Sequence, residues 1–345
     1  LQDELTRGVV AAMSLKPGAE AERRLARHET TNAEAYEAYL KGRYYWNKRT
    51  GEGLKKAIEY FEQATRLDPD YALAYCGLAD SYNLGVWYIP MPASEAVPKL
   101  KAAAGRAIEI DDQIAEAYLA MANAYSFEWK WEEGGASHRR ALELNPGHAT
   151  AHHWYALYLA LIGRLDEAIE EIKRARELDP LSLVINTDVG WVYYLARRYD
   201  EAIDQYKRAL ELDPNFTLAR FDLALAYSEK GMHDEAIAEM KQAEGRGSDY
   251  LAGLGYVYAR AGKQREALES LGELKRLSKW QYVPPYHFAW VYTGLGQKDQ
   301  AIAMLEKVYE EHTQHVVDFK MHPMFDPIRS DPRYQDLLKR IGLPD

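Results

Sequence analysis

A 34-residue step runs through the chain and constrains it more than any other feature. Pro146, Pro180 and Pro214 stand 34 apart, each closing a similar phrase: ALELNP (141–146), ARELDP (175–180) and ALELDP (209–214). ATRLDP (64–69) is an earlier copy, and Ala107, Ala141, Ala175, Ala209 and Ala243 keep the same step. One core rarely grows to 345 residues. A period of this size points instead to an array whose units each bury their apolar face against their neighbours.

Two more ladders fix the unit. Tyr45, Tyr82, Tyr125, Leu159, Tyr193, Tyr227, Tyr258 and Tyr292 form one. Ala57, Gly134, Ala168, Ala202, Ala236, Ala267 and Ala301 form the other, and Gly163, Gly231, Gly262 and Gly296 mark the turn between them. Two antiparallel helices need a small residue where their axes approach and a bulky one in the adjacent gap. In 197–214, Ala202, Tyr206, Ala209 and Leu210 fall at i, i+4, i+7 and i+8, one apolar helical face, and Pro214 ends it. The expected fold is all-α, a solenoid of about eight helix-turn-helix units over 34–315. Linker helices are expected over 1–33, including a helix at 1–14, and capping helices over 316–345 that cover the last repeat. Asp331-Pro332 reads as a helix start. The insertion at 85–94 is expected to place Trp87 and Tyr88 on a proline-bounded loop.

These ladders resemble the tetratricopeptide repeat family, with its Leu-Gly…Tyr…Gly…Ala…Ala…Pro pattern. AYEAYLKGRYYWNKRT (35–50), ATAHHWYALYLALIGRLDEA (149–168) and FDPIRSDPRYQDLLKRIGLP (325–344) further resemble the repeat region of large bacterial signalling proteins. There it follows a winged-helix, Ser/Thr kinase or cyclase domain. QDELTRGVVAAM (2–13) is similar to the end of the preceding linker, and the chain starts at Leu1 rather than Met, so a fragment or processed form is expected. The resemblance implies a sensor or scaffold half without naming the effector.

In such arrays the first helices line a concave groove. Offsets of −6, −2, +1 and +2 from the ladder tyrosine share one face. In the first three units they select Tyr39, Trp46, Asn47, Asn83, Asn123 and Phe127. In the later units they select His153, Trp191, Tyr194, Phe221, Tyr256, Tyr286 and Trp290. Trp and Tyr bury large area while keeping a polar handle, and Asn pairs with peptide backbone in both directions. A groove for a peptide or protein segment is the expected site. The paired lysines of a chaperone-tail clamp are absent.

Composition narrows the classes. A net charge of −10 lacks the basic footprint of phosphate binding, so no nucleic-acid partner is expected. The apolar run near 154–162 is too short to span a bilayer, no secretory signal is visible, and the lone Cys76 fits a reducing, cytoplasmic setting. No cofactor or metal is expected: His148, His152 and His153, or His312 and His315, lack companion ligands. The GxG at 253–255 opens a repeat helix rather than following a strand, and Cys76 reads as a small apolar filler. The expected function is a non-catalytic interaction scaffold, not an enzyme. A small-molecule sensor with a pocket near Trp191, Tyr194 and Phe221 is the alternative, and self-association through a solenoid end stays open.

Overall fold

The computed structural model describes residues 30–89, 91–243, 247–311 and 318–343, the side chain of Trp87 excepted. The helix expected at 1–14, and His312 and His315, lie outside these residues. Among the described residues all regular structure is helical. Helices follow one another largely as antiparallel pairs: α1 (Ala33–Trp46) with α2 (Gly51–Leu67) and α3 (Ala72–Tyr88) with α4 (Ala93–Ile110), followed by α5 (Ala115–Phe127) and α6 (Trp131–Leu144). Then come α7 (Ala149–Ile162) with α8 (Leu165–Leu178), α9 (Leu183–Leu195) with α10 (Tyr199–Leu212), and α11 (Thr217–Glu229) with α12 (His233–Gln242). The last pairs are α13 (Ser248–Arg260) with α14 (Gln264–Leu277) and α15 (Pro285–Gly294) with α16 (Lys298–Glu310). A 3₁₀ turn (Pro323–Ile328) and α17 (Pro332–Ile341) end the chain.

Local chemistry accounts for the boundaries. Asn32, Thr50, Ser182 and Asp331 cap their helices with a side-chain oxygen that accepts first-turn backbone N–H groups. The turn between the two helices of a pair needs a left-handed residue. Gly163, Gly231, Gly262 and Gly296 supply it at φ 94°, 77°, 72° and 71°. The ladder alanines Ala57, Ala168, Ala202, Ala236, Ala267 and Ala301 have no exposed surface, as close helix approach requires. Gly190 serves the same contact: a Cβ there would meet the Tyr206 ring at 2.5 Å. One expectation is corrected. α3 runs through Tyr88, so Trp87 and Tyr88 end a helix rather than sit on a loop, because the apolar stretch before Pro90 keeps a helical pattern.

The chain divides into two compact units, residues 1–124 and 125–345, with the division inside α5. Among the described residues the core of unit 1 falls into patches, bridged by the half-buried Tyr39 and Leu73. Trp46, Leu54, Phe61 and Leu84 form one, and Ala35, Ala38, Ala64, Tyr71 and Ala74 another. Ala72, Cys76, Ala107, Ile114 and Ala117 form a third, in which burial pushes the Cys76 thiol well above its ordinary pKa. Unit 2 has one continuous cluster, from Trp131 to Ile341.

Candidate functional site

In unit 2 the first-helix face is already occupied. The segment from Asp318 onward lies against α9 and against α15 of the last pair, and α17 then packs on α16. The His322 ring lies 5.2 Å from Trp191, 5.5 Å from Tyr194 and 5.9 Å from Trp290. Phe319 and Phe325 lie 6.3 and 5.8 Å from Tyr286. Polar anchors fix the segment's register. Arg197 donates to the Met321 carbonyl at 2.7 Å and pairs with Asp326 at 2.6 Å. Lys320 Nζ reaches the Ile162 carbonyl at 3.1 Å, and Tyr286 donates to Asp318 at 2.9 Å. Farther along, Tyr334 donates to the Phe319 carbonyl at 2.5 Å, and Trp131 Nε1 to that of Ile341 at 3.2 Å. Phe319, Met324, Phe325, Tyr334 and Leu337 are wholly buried.

Burial sets the electrostatics there. It drives His322 down to about 3, with Arg197 and Arg329 assisting. The ring stays neutral, and its Nδ1 accepts the Met324 N–H at 3.3 Å. Asp318 is pushed up to about 7 by burial, against the opposing hydrogen bond from Tyr286.

The residues expected to line an open groove therefore divide. Tyr194, Tyr256, Tyr286 and Trp290 are buried rather than solvent-facing, because the C-terminal segment and neighbouring helices cover an aromatic face that would be costly to leave wet. The Tyr256 hydroxyl donates to Glu229. Trp191, Phe221 and Phe127 stay half-exposed, and Phe221 stands 6.1 Å from Trp290. His153 is buried, with Nε2 2.6 Å from Asp188. In unit 1, Tyr39 wedges between Phe61 (5.8 Å) and Tyr71 (5.3 Å), where burial lifts its hydroxyl to about 12. Trp46 is buried, its Nε1 has no partner among the described residues, and Arg43 and Arg49 lie over its ring at 4.6 and 3.8 Å. Asn83 is buried, the Asn123 amide nitrogen lacks a partner among the described residues, and Asn47 is exposed at the α1 C-cap. The C-terminal segment lies on both helices of the last pair, with Arg333 on Asp299 at 2.8 Å, and also reaches back to α9, which was not expected.

Sequence reasoning missed Arg197, Trp129 and Trp131. A signal existed. Where other units carry the left-handed turn glycine, these carry Arg197 (φ 59°) and Trp129 (φ 59°). A side chain placed there at a backbone cost marks a contact. Arg197 holds the C-terminal segment, and the Trp129 ring lies tilted 5.2 Å from that of Tyr309 of α16. Trp280, 89% exposed after α14, is a second unforeseen feature. The histidines are occupied: His148 caps α7, and His152 bridges Glu171 (2.5 Å) and the Pro146 carbonyl (2.9 Å). Among the described residues no three His, Cys, Asp or Glu gather as metal ligands.

Tetratricopeptide models match residues 119–182, 190–231 and 286–315, and a further one matches 52–71 and 219–245. The chain belongs to the tetratricopeptide repeat (TPR) family. TPR proteins as a family are scaffolds for protein–protein interaction and typically non-catalytic. Among curated relatives, the transcriptional regulator HilA of Salmonella typhimurium is 24% identical over 148 residues, 42% of this chain and 26% of HilA. The matched stretch thus spans about a quarter of that regulator. Among solved structures, the human IFIT1 dimer with PPP-AAAA aligns at TM-score 0.59 and 17% identity over 85% of this chain and 68% of its own. Cut9 with Hcn1, from the APC/C, aligns at 0.57 and 17% over 84% and 52%. The type IV pilus biogenesis factor PilW aligns at 0.51 and 21% over 65% and 98%. These likenesses establish the TPR fold. Among the described residues no helix is long and apolar enough to cross a membrane.

Proposed function

We propose that this TPR array is the regulatory or sensor portion of a larger bacterial signalling protein, acting in the cytoplasm and binding a peptide or protein segment in its concave groove. One observation carries the reading. The first-helix face of unit 2 already accommodates a polypeptide, gripping its backbone with Arg197 and its aromatic side chains with Trp191, Tyr194 and Tyr286. A face of this chemistry recognises extended chain. In unit 1, exposed Asn47 and half-buried Tyr39 and Asn123 mark where an external segment would bind. The low-identity match to a transcriptional regulator supports the signalling context. The acidic balance disfavours nucleic acid as its ligand, and solenoid ends offer a route to self-association. A metabolite sensor built around Trp191, Tyr194 and Phe221 has less support, because His322 lies against the first two.

Site-specific photo-crosslinking in the source cell tests this. A benzophenone amino acid at Asn47 should capture a discrete polypeptide, and one at exposed Glu52 on α2 should not. Equal capture from both positions would remove the groove as the binding surface.

A further inference from the structure

Asp188 of α9 and Asp222 of α11 lie at the same place in successive units, each five residues before its ladder tyrosine, Tyr193 and Tyr227. α9 and α11 pack against each other. Asp188 is anchored, because His153 Nε2 stands 2.6 Å from one carboxylate oxygen. Asp222 is not. It is 7% exposed, and among the described residues no hydrogen bond or ion pair reaches its carboxylate. Burial first, and then Asp188, raise its pKa well above the ordinary range. A carboxylate held in this way is costly unless something pairs with it.

A second polar group points to the same place. The Tyr206 hydroxyl is wholly buried and, among the described residues, has no hydrogen-bond partner. Its ring lies under Gly190 on α9, and Asp222 and Asp188 are the two charges acting on it. Two carboxylates on adjacent first helices and a buried hydroxyl from the second helix between them are thus neighbours. Trp191, one turn after Asp188 on α9, adds a half-exposed aromatic ring. Acceptors backed by aromatic faces suit an organic cation.

We infer that Asp222 and Asp188, with the Tyr206 hydroxyl and the ring of Trp191, receive an arginine or lysine side chain from a polypeptide partner. This rests on the peptide-binding reading and gives the partner its chemistry. The C-terminal segment does not supply the cation from its arginines or Lys320. Lys320 is on the Ile162 carbonyl, Arg329 on the His322 carbonyl and Asp326, Arg333 on Asp299 and Asp331, and Arg340 on Glu306 and Asp336. The chain's net charge of −10 draws basic partners toward it.

The test is fluorescence anisotropy with two labelled alanine-rich heptapeptides, one with a central Arg and one with Gln, on the full chain. Asp222→Asn is compared with Glu211→Gln, which removes the same charge from an exposed position on α10. The wild type and Glu211→Gln should bind the Arg peptide roughly tenfold or more tightly than the Gln peptide, and Asp222→Asn should lose that difference. Asp222→Asn should also melt no lower than the wild type, because it removes an unpaired buried charge, which separates lost binding from lost folding. If Asp222→Asn keeps the preference, the cation site is overturned. Equal binding of both peptides by the wild type also overturns it, and leaves the groove reading standing. If the wild type binds neither peptide, the cation site falls, and the crosslinking at Asn47 decides the groove separately. Binding of N-acetyl-arginine amide as tight as that of the peptide would assign the site to a small amine and overturn the polypeptide form.

Discussion

The two units follow the same repeat rules and are stabilised differently. Unit 1 divides its core into patches built largely on alanine, with Phe61 and Trp46 as the main bulky fillers of one of them. Unit 2 joins its repeats into one cluster, and the C-terminal segment completes it. The contacts that complete it are long-range. Trp131 meets Ile341 across 210 residues, and Arg197 meets Asp326 across 129. A repeat array held by neighbour contacts is a sum of local terms, whereas a segment touching several repeats makes them one cooperative body. Unit 2 is therefore expected to melt as a block, and unit 1 more gradually.

Ending the chain after Glu311 should separate the units most sharply. Phe319, Met324, Phe325, Ile328, Tyr334, Leu337 and Ile341 are buried, each worth about 1.5–3 kcal/mol. Their removal amounts to on the order of 10 kcal/mol, comparable to a whole domain's stability. Calorimetry should show the cooperative unit 2 transition lost and the unit 1 transition kept. Loss of both would mean that the units melt together.

A smaller cut uses matched substitutions. Phe325→Ala and Phe61→Ala each remove a fully buried ring and should each cost about 3–5 kcal/mol. The first should lower the unit 2 transition and the second that of unit 1. A single transition shifted equally by both would break the comparison.

Acid should also discriminate. His138, His287 and His322, all in unit 2, are pushed by burial to about 3, 4 and 3. Their folded values lie below the unfolded value of about 6.5, so the unfolded state binds more protons and stability falls as pH drops from about 6.5 toward 3. Asp318, raised to about 7, and Asp222, also raised, act oppositely above about pH 4, where unfolded carboxyls ionise. Below about pH 4 the raised carboxyls no longer oppose the histidines, and Asp331, lowered to about 2 by its hydrogen bonds with Arg333, adds to the loss. Chemical denaturation between pH 4 and 3 should show unit 2 losing stability faster than its His138→Phe variant.

The turn positions give a finer test. Arg197→Ala loses the grip on Met321 and Asp326, about 1–3 kcal/mol, and keeps a left-handed backbone. Arg197→Gly should recover about 1 kcal/mol of that through its tolerance of positive φ. In unit 1, Asn32→Ala removes an N-cap that accepts two N–H groups and should cost about 1 kcal/mol in that transition alone.

Much was legible in the sequence. The 34-residue step, the small-residue ladder, the turn glycines and the Asp331-Pro332 helix start all reappear as helix pairs, close contacts, left-handed turns and the α17 cap. These are local requirements of backbone geometry and neighbour packing, so residue type at fixed spacing encodes them. The aromatic face of the first helices was legible too, as a list of positions. Whether Trp191, Tyr194, Tyr286 and Trp290 faced water or a polypeptide was not. That depends on the small rotation from each pair to the next, which accumulates over several repeats until residues near 320 meet residues near 190. Each rotation arises from side-chain interlock that no motif states, so only the tertiary structure decided what covers the first-helix face of unit 2, and that Asp222 beside it has no hydrogen-bond or ion-pair partner among the described residues.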